Sequence, residues 1–175
     1  MACTLINSVT AACELNSGGI KEIKIKVNPS LATIAAQYAV SSGVVTITGA
    51  SLSGWKTYTV VKETAFFTDN QTMNIQNGTT QYAPHVKLII NKLRAAIRNE
   101  IEVFGYQVNL QFAVRDQNDN YWLLGKDEGL NLIASVIGTG TARTDRNGYE
   151  LDFEGKESIP KLSLTSANYA LLIDV

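Results

Sequence analysis

The chain has 175 residues, 45% of them hydrophobic and 18% charged, and its formal net charge is −1. This length predicts a single domain over residues 1–175 with enough apolar side chains for a core. The near-neutral charge argues against a general polyanion-binding protein, and no uninterrupted apolar stretch is long enough to cross a bilayer.

The N-terminal segment 1–19 is rich in Ser, Thr, Ala and Asn and is expected to be a flexible arm. It lacks a basic region followed by a sustained apolar one, so no secretory signal is predicted and folding in the cytoplasm is expected. A reducing cytoplasm disfavours a disulfide between Cys3 and Cys13. We expect both thiols to be unpaired and structural.

The first element after this arm is a strand over 20–27, where Ile23 and Ile25 alternate with Lys24 and Lys26. Residues 30–42 are Ala-rich and are expected to form a loop with at most a short helical turn. A short strand is expected over 44–48.

Residues 55–80 predict a long hairpin arm, because turn signals at Asp69-Asn70 and Asn77-Gly78 interrupt an extended β-like region. Neither face of this region is cleanly apolar. That pattern fits an arm that meets another subunit, although a solvated hairpin on a monomer fits the periodicity equally well. The residues expected at an intersubunit contact are Asp69, Asn70, Met73, Ile75 and Asn77.

One long amphipathic helix is predicted over 84–104, with Pro84 at its entrance and Gly105 at its exit. Its apolar side chains recur at steps of three and four, which is the spacing of one helix face. These side chains are Val86, Ile90, Leu93, Ile97, Ile101 and Phe104.

The C-terminal half predicts strands again, with Leu110, Phe112 and Val114 alternating with polar or small residues. A hairpin is expected to join this strand to 121–124, followed by strands over 129–137 and 149–153. Residues 159–175 are expected to be a C-terminal tail, with 169–173 as a terminal strand or docking segment. The fold class expected is mainly β, a β-sandwich or barrel with one flanking helix.

No pattern predicts catalysis, a cofactor or a metal. Residues 116–120 have the oxygen-rich spacing of a calcium loop but lack its glycine and distal glutamate, so a turn is expected. His85 has no nucleophile in a recognisable setting, and residues 138–141 lack the Lys and helix of a phosphate loop. The chain is therefore not expected to be an enzyme.

Glu150, Asp152 and Glu154 alternate along one strand, so their carboxylates share one face. In a monomer this is an ordinary solvated surface. In a ring with this face turned inward, the stripe would form a negative lining that repels DNA phosphates. The polar residues Asn109 and Gln111 suit the same surface.

Several segments resemble tail proteins encoded by phages and prophages of Bacteroidetes-type bacteria. The matching segments are CELNSGGIKE at 13–22, YWLLG at 121–125 with Gly129-Leu130, GTGTA at 138–142 and DRNGYELDFEG at 145–155. The region from Phe66 through the predicted helix fits as well. These proteins are similar to phage tail tube subunits, a fold shared with the tubes of contractile injection machines and type VI secretion.

The resemblance implies a structural virion protein with no active site. Such a subunit forms sixfold rings that stack into a hollow, DNA-conducting tube, and strands of neighbouring subunits join into one barrel. Its expected partners are further copies of itself, baseplate or hub proteins and a terminator, with DNA passing through the lumen without specific binding. Its expected location is the virion tail, assembled in the bacterial host cytoplasm.

Two other functions remain open from the sequence. One is a tail terminator, head–tail connector or other virion protein of the same fold, which would close a ring without stacking indefinitely. The other is a carbohydrate-binding or adhesion module, because Trp55, Tyr58, Tyr121 and Trp122 could supply aromatic platforms.

Overall fold

The computed structural model describes residues 16–28 and 30–174, and within them the chain is mainly β. The strands are β1 Ile20–Val27, β2 Tyr38–Ser41, β3 Val44–Ile47, β4 Lys56–Thr59, β5 Phe66–Asn74, β6 Thr79–Asn91, β7 Leu110–Asp116, β8 Tyr121–Leu124, β9 Leu130–Gly138, β10 Gly148–Gly155 and β11 Leu162–Leu164. The helices are α1 Leu31–Gln37, α2 Ala95–Tyr106 and α3 Ser166–Ala170. Cys3 and Cys13 lie outside the described residues.

All these strands belong to one mixed sheet that does not close. The main path runs β2-β3-β11-β8-β7-β9-β10-β6-β5, while β1 lies on the other edge of β7 and carries β4. The two halves of the path meet at one pair, Leu110 with Leu130. A closed barrel, one of the two forms predicted, is therefore not formed by the described part of one chain.

Two hydrophobic cores lie on opposite faces of β7. The first packs β1 and β7 against β6, β10 and α2, and Phe112 and Phe153 meet in it with ring centroids 4.9 Å apart. The second lies under α1, α3 and the segment 52–55, around Trp55. Because Phe112 faces the first core and Ala113 faces the second, β7 is buried on both sides.

The prediction of one helix over 84–104 is wrong in its first half. Residues up to Asn91 belong to β6, where Val86 pairs with Phe153 and Leu88 pairs with Leu151 of β10. An apolar spacing of two fits 86, 88 and 90 as well as helical spacing fits 86 and 90, and the strand partners decide between them. Pro84 is tolerated because it pairs only with β5, beyond the end of the β10 ladder.

Several smaller boundaries also differ from prediction. Residues 30–42 form α1 and β2 rather than a loop. The hairpin arm is β5 with β6, not a single unit over 55–80, because a turn with Glu63 at φ 63° separates β4 from β5. Residues 169–173 form no strand, since α3 reaches Ala170 and only Leu172 makes a bridge, to Leu52.

Two glycines allow the two halves of the sheet to meet. Gly125 and Gly129, between β8 and β9, have φ of +68° and +81°, which side-chain-bearing residues rarely adopt. A Cβ on Gly129 would lie 2.5 Å from the Cα of Asn109. This close approach brings Leu130 beside Leu110.

Candidate functional site

The β5–β6 hairpin projects from the body as an arm. Its strands pair from Phe66 with Lys87 out to Asn74 with Thr79, and every residue over 70–81 is exposed. At the tip, the side chain of Asn74 accepts a hydrogen bond from the Asn77 N–H at 3.1 Å. This bond and Gly78, at φ +63°, fix the tight turn.

The arm carries exposed apolar side chains at its tip. Met73 is 61% exposed and Ile75 is 84% exposed, which leaves both side chains with little of the chain's own core to pack against. Asn70 and Asn77 share this exposed region. Asp69 differs from the other four predicted contact residues, because it lies at the arm's base and its carboxylate accepts the Lys161 N–H at 2.8 Å.

The carboxylates of Glu150, Asp152 and Glu154 share the face of β10 that points away from the first core. On β6 beside them, Lys87 forms ion pairs with Glu150 and, at 3.9 Å, with Asp152. The nearest His85 nitrogen lies 3.4 Å from the Asp152 carboxylate.

Arg146 adds a further cation to this face, 3.2 Å from Glu150. The hydrogen bond from Lys87 holds the pKa of the Glu150 carboxyl below its usual value and raises that of Lys87 itself. The face is therefore mixed in charge, which corrects the purely anionic stripe expected from the sequence. Within the described residues, Glu154 is the member of the three without an ion pair.

The structure separates the two polar residues assigned to the same surface. Gln111 is 0% exposed, and its side chain accepts from the Tyr38 hydroxyl and donates to the Lys126 carbonyl, both at 3.1 Å. Its assignment to a lumen surface is wrong, because alternation along β7 turns it into the second core. Asn109 is exposed and lines one surface depression together with Glu154 and Asn131.

An exposed strand edge on β9 was not predicted. Beyond Leu130, β9 pairs with β10 on one side and has no partner strand on the other among residues 16–28 and 30–174. Its side chains Ile133, Val136 and Ile137 are 56%, 63% and 53% exposed. The sequence signal was an apolar run that exceeds what one buried face requires.

The remaining candidate residues have structural explanations. The Asp116 carboxylate accepts hydrogen bonds from the main-chain N–H groups of Asn118 and Asn120 and from the Trp122 indole, as in a self-contained turn. Asp145 similarly accepts two main-chain N–H groups of the 138–146 loop, which lower the pKa of its carboxyl. Across the described ranges, no group of three or more His, Cys, Asp or Glu side chains is arranged to hold a metal.

The aromatic residues proposed as a sugar platform are largely engaged within the protein. Trp55 is 0% exposed. Tyr121 packs on Tyr169 with ring centroids 4.8 Å apart, and Tyr58 packs on Phe104 at 5.9 Å. Trp122 is half-buried beside Phe67.

Comparison with protein families, with characterised proteins and with solved structures gives no significant match for this chain. Among the helices of the described residues, none has the length and apolar character needed to cross a membrane.

Proposed function

We propose that this chain is a structural subunit of a phage-type tail tube, which assembles into rings that stack around a DNA-conducting channel. The observation that carries the proposal is the open four-stranded segment β9-β10-β6-β5, which ends in two strands without an outer partner. An exposed edge presents unpaired main-chain N–H and C=O groups, and pairing them with another chain satisfies them.

Head-to-tail pairing follows from the position of these two edges. The β9 edge of one copy and the β5 edge of the next are different surfaces, so their contact is heterologous and closes a ring when the rotation per copy divides a full turn. In this proposal the barrel predicted from the sequence forms across subunits. The fold class and the open edges support it, together with the resemblance carried by the sequence segments.

The arm supplies a second contact in this assembly. Met73 and Ile75 place apolar side chains at the tip of a neutral hairpin, where burial against a neighbour would remove them from water. We propose that the tip segment, with Asn70 and Asn77, contacts an adjacent copy within the ring or in the next ring. Asp69 contributes by holding the arm's base.

The face bearing Glu150, Asp152 and Glu154 is the proposed lumen surface. Its permanent cations, Lys87 and Arg146, are paired with carboxylates, so they offer little free positive charge to a phosphate backbone. Asn109 extends this surface beside Glu154. DNA passes such a lining without specific binding. The proposed location is the virion tail, where hub or baseplate proteins and a terminator would meet the tube's ends.

Negative-stain electron microscopy with light scattering, at rising protein concentration, tests the proposal. Stacked rings or hollow filaments are expected. An Ile133→Lys/Ile137→Lys variant should stay folded and fail to assemble, because charged side chains on an edge strand oppose pairing. Val61→Lys, at an exposed apolar residue in the turn before β5, is the matched control and should assemble normally.

Closed rings that never stack would overturn the tube assignment in favour of a terminator or connector. Assembly of the double variant identical to that of the parent protein would overturn the assigned β9 edge. A persistent monomer that binds glycans saturably would favour the carbohydrate-binding alternative.

A further inference from the structure

A small cavity lies at the base of the arm, between β5–β6 and the segment that follows β10. Its volume is about 10 Å³, enough for a single water-sized occupant. Its wall includes Asp69 and Pro84 from the arm, Gly125 and Lys126 from the β8–β9 connection, and Glu157. Three separate parts of the chain therefore meet around it.

Two carboxylates at this cavity each have one oxygen that is buried without a hydrogen-bond partner among the described residues. On Glu157, which is 5% exposed, Oε1 accepts the N–H groups of Glu128 and Gly129 at 3.0 Å, while Oε2 is unpartnered. On Asp69, Oδ2 accepts the Lys161 N–H, while Oδ1 is unpartnered. Buried carboxylate oxygens without partners are costly.

The nearby lysines do not neutralise these oxygens. Lys126 is ion-paired with Asp127, and the Lys161 ammonium lies 5.3 Å from the centre of the Trp122 ring. Asp127 and Glu128, in the same connection, add negative charge rather than remove it. A water molecule could hydrogen-bond both free oxygens but would leave two negative charges facing one small space.

The geometry points to a binding site for one calcium ion, held by Asp69 and Glu157. A divalent cation balances both carboxylates, and Ca²⁺ accepts irregular sets of carboxylate and main-chain carbonyl oxygens. The main chain that lines the cavity at Gly125 and Lys126 is the available source of carbonyl ligands. Mg²⁺ fits less well, because it usually retains several waters and the cavity has room for a single water-sized occupant.

Calcium at this point would join the arm to the body. Asp69 belongs to β5, whereas Glu157 contacts the connection that precedes β9. The ion therefore ties the base of the arm to the loop that positions the exposed β9 edge. The inference concerns the folded single chain and does not depend on tube assembly.

Thermal unfolding and titration calorimetry at neutral pH, after removal of calcium with EDTA, test the site. CaCl2 should raise the Tm of the parent protein, and MgCl2 at the same concentration should raise it less. Glu157→Gln and Asp69→Asn should each lose the calcium-dependent rise and weaken binding roughly tenfold or more. Both variants keep an oxygen for the existing main-chain hydrogen bonds, so both should fold.

Glu154→Gln is the matched control, because it removes an exposed carboxylate outside the cavity, and its calcium response should equal that of the parent protein. The site is overturned if calcium leaves the parent protein's Tm unchanged. It is equally overturned if all three variants respond as the parent does. Ring assembly is measured separately, so failure of the calcium site and failure of the tube proposal give different results.

Discussion

Tyr82 of β6 and Glu157 exchange two main-chain hydrogen bonds, with the Tyr82 N–H at 2.9 Å and the Glu157 N–H at 2.8 Å. The Glu157 side chain also accepts the N–H groups of Glu128 and Gly129. One residue thus fastens both the arm and the β8–β9 connection. Beyond this bridge, the arm is exposed up to its tip.

The arm can therefore be shortened without disturbing the body. Replacing residues 72–81 by Asn-Gly joins Gln71 to Tyr82, which are paired partners across the hairpin. We expect a folded monomer with a Tm close to that of the full chain, because the removed residues are exposed. Under the assembly proposal, electron microscopy should show no rings. Rings indistinguishable from those of the full chain would contradict the arm's proposed role.

A second prediction concerns the ion pair between Lys87 and Glu150. In Lys87→Met, the Glu150 pKa should rise toward its ordinary value, because the hydrogen bond that depresses it is lost. A depressed folded-state pKa contributes stability above the unfolded-state pKa and loses it as the pH falls through the folded-state value. The variant should therefore lose less stability on acidification.

Carboxyl-carbon NMR titration of Glu150, with urea unfolding across the acidic range, measures both effects. Lys156→Met serves as the control, since Lys156 lies in the depression beside Glu154 and forms no ion pair with Glu150. An unchanged Glu150 titration in Lys87→Met would rule out the pairing described here.

Much of the fold was predictable because its strands carry local signals. The alternation over 20–27 and the turn at 116–120 predicted β1 and the β7–β8 hairpin correctly. Residues 84–91 were assigned to a helix because helical and strand spacings coincide there, and only pairing with β5 and β10 distinguishes them. The open sheet was likewise beyond local patterns, since it depends on which strands meet.

The candidate surfaces were predictable only in part. Alternation placed Glu150, Asp152 and Glu154 on one face correctly, but Lys87 and Arg146 reach that face from other segments. Gln111 looked like a surface residue because a polar side chain in an alternating strand usually faces water. Its burial depends on Tyr38, which is remote in sequence and supplies the hydrogen bond.

A third prediction tests the connection that joins the two halves of the sheet. Gly129→Ala should lower the free energy of unfolding by about 1–3 kcal/mol, because φ is +81° there and the new Cβ meets Asn109. Gly138→Ala is the matched control, since a Cβ there meets nothing within 4 Å. Urea unfolding of both variants measures the difference. Equal stabilities would mean that the close approach to Asn109 does not constrain the fold.

The last prediction concerns the pH dependence contributed by Glu157. Burial raises the pKa of this carboxyl above its ordinary value of 4.5. A raised folded-state pKa gives stability that is fully present below the unfolded-state pKa and is lost as the pH rises through the folded-state value. In EDTA, the parent protein should therefore lose stability relative to Glu157→Gln as the pH rises above about 4.5, and the difference should then level off.

Urea unfolding of the parent protein and Glu157→Gln in EDTA, at intervals from acidic to neutral pH, measures this difference. The other carboxylates titrate in both proteins, so their contributions largely cancel. The glutamine keeps an oxygen for the Glu128 and Gly129 N–H groups, and its amide places a donor near the unpartnered Asp69 oxygen. A stability difference that stays constant with pH would show that Glu157 does not titrate with a raised pKa.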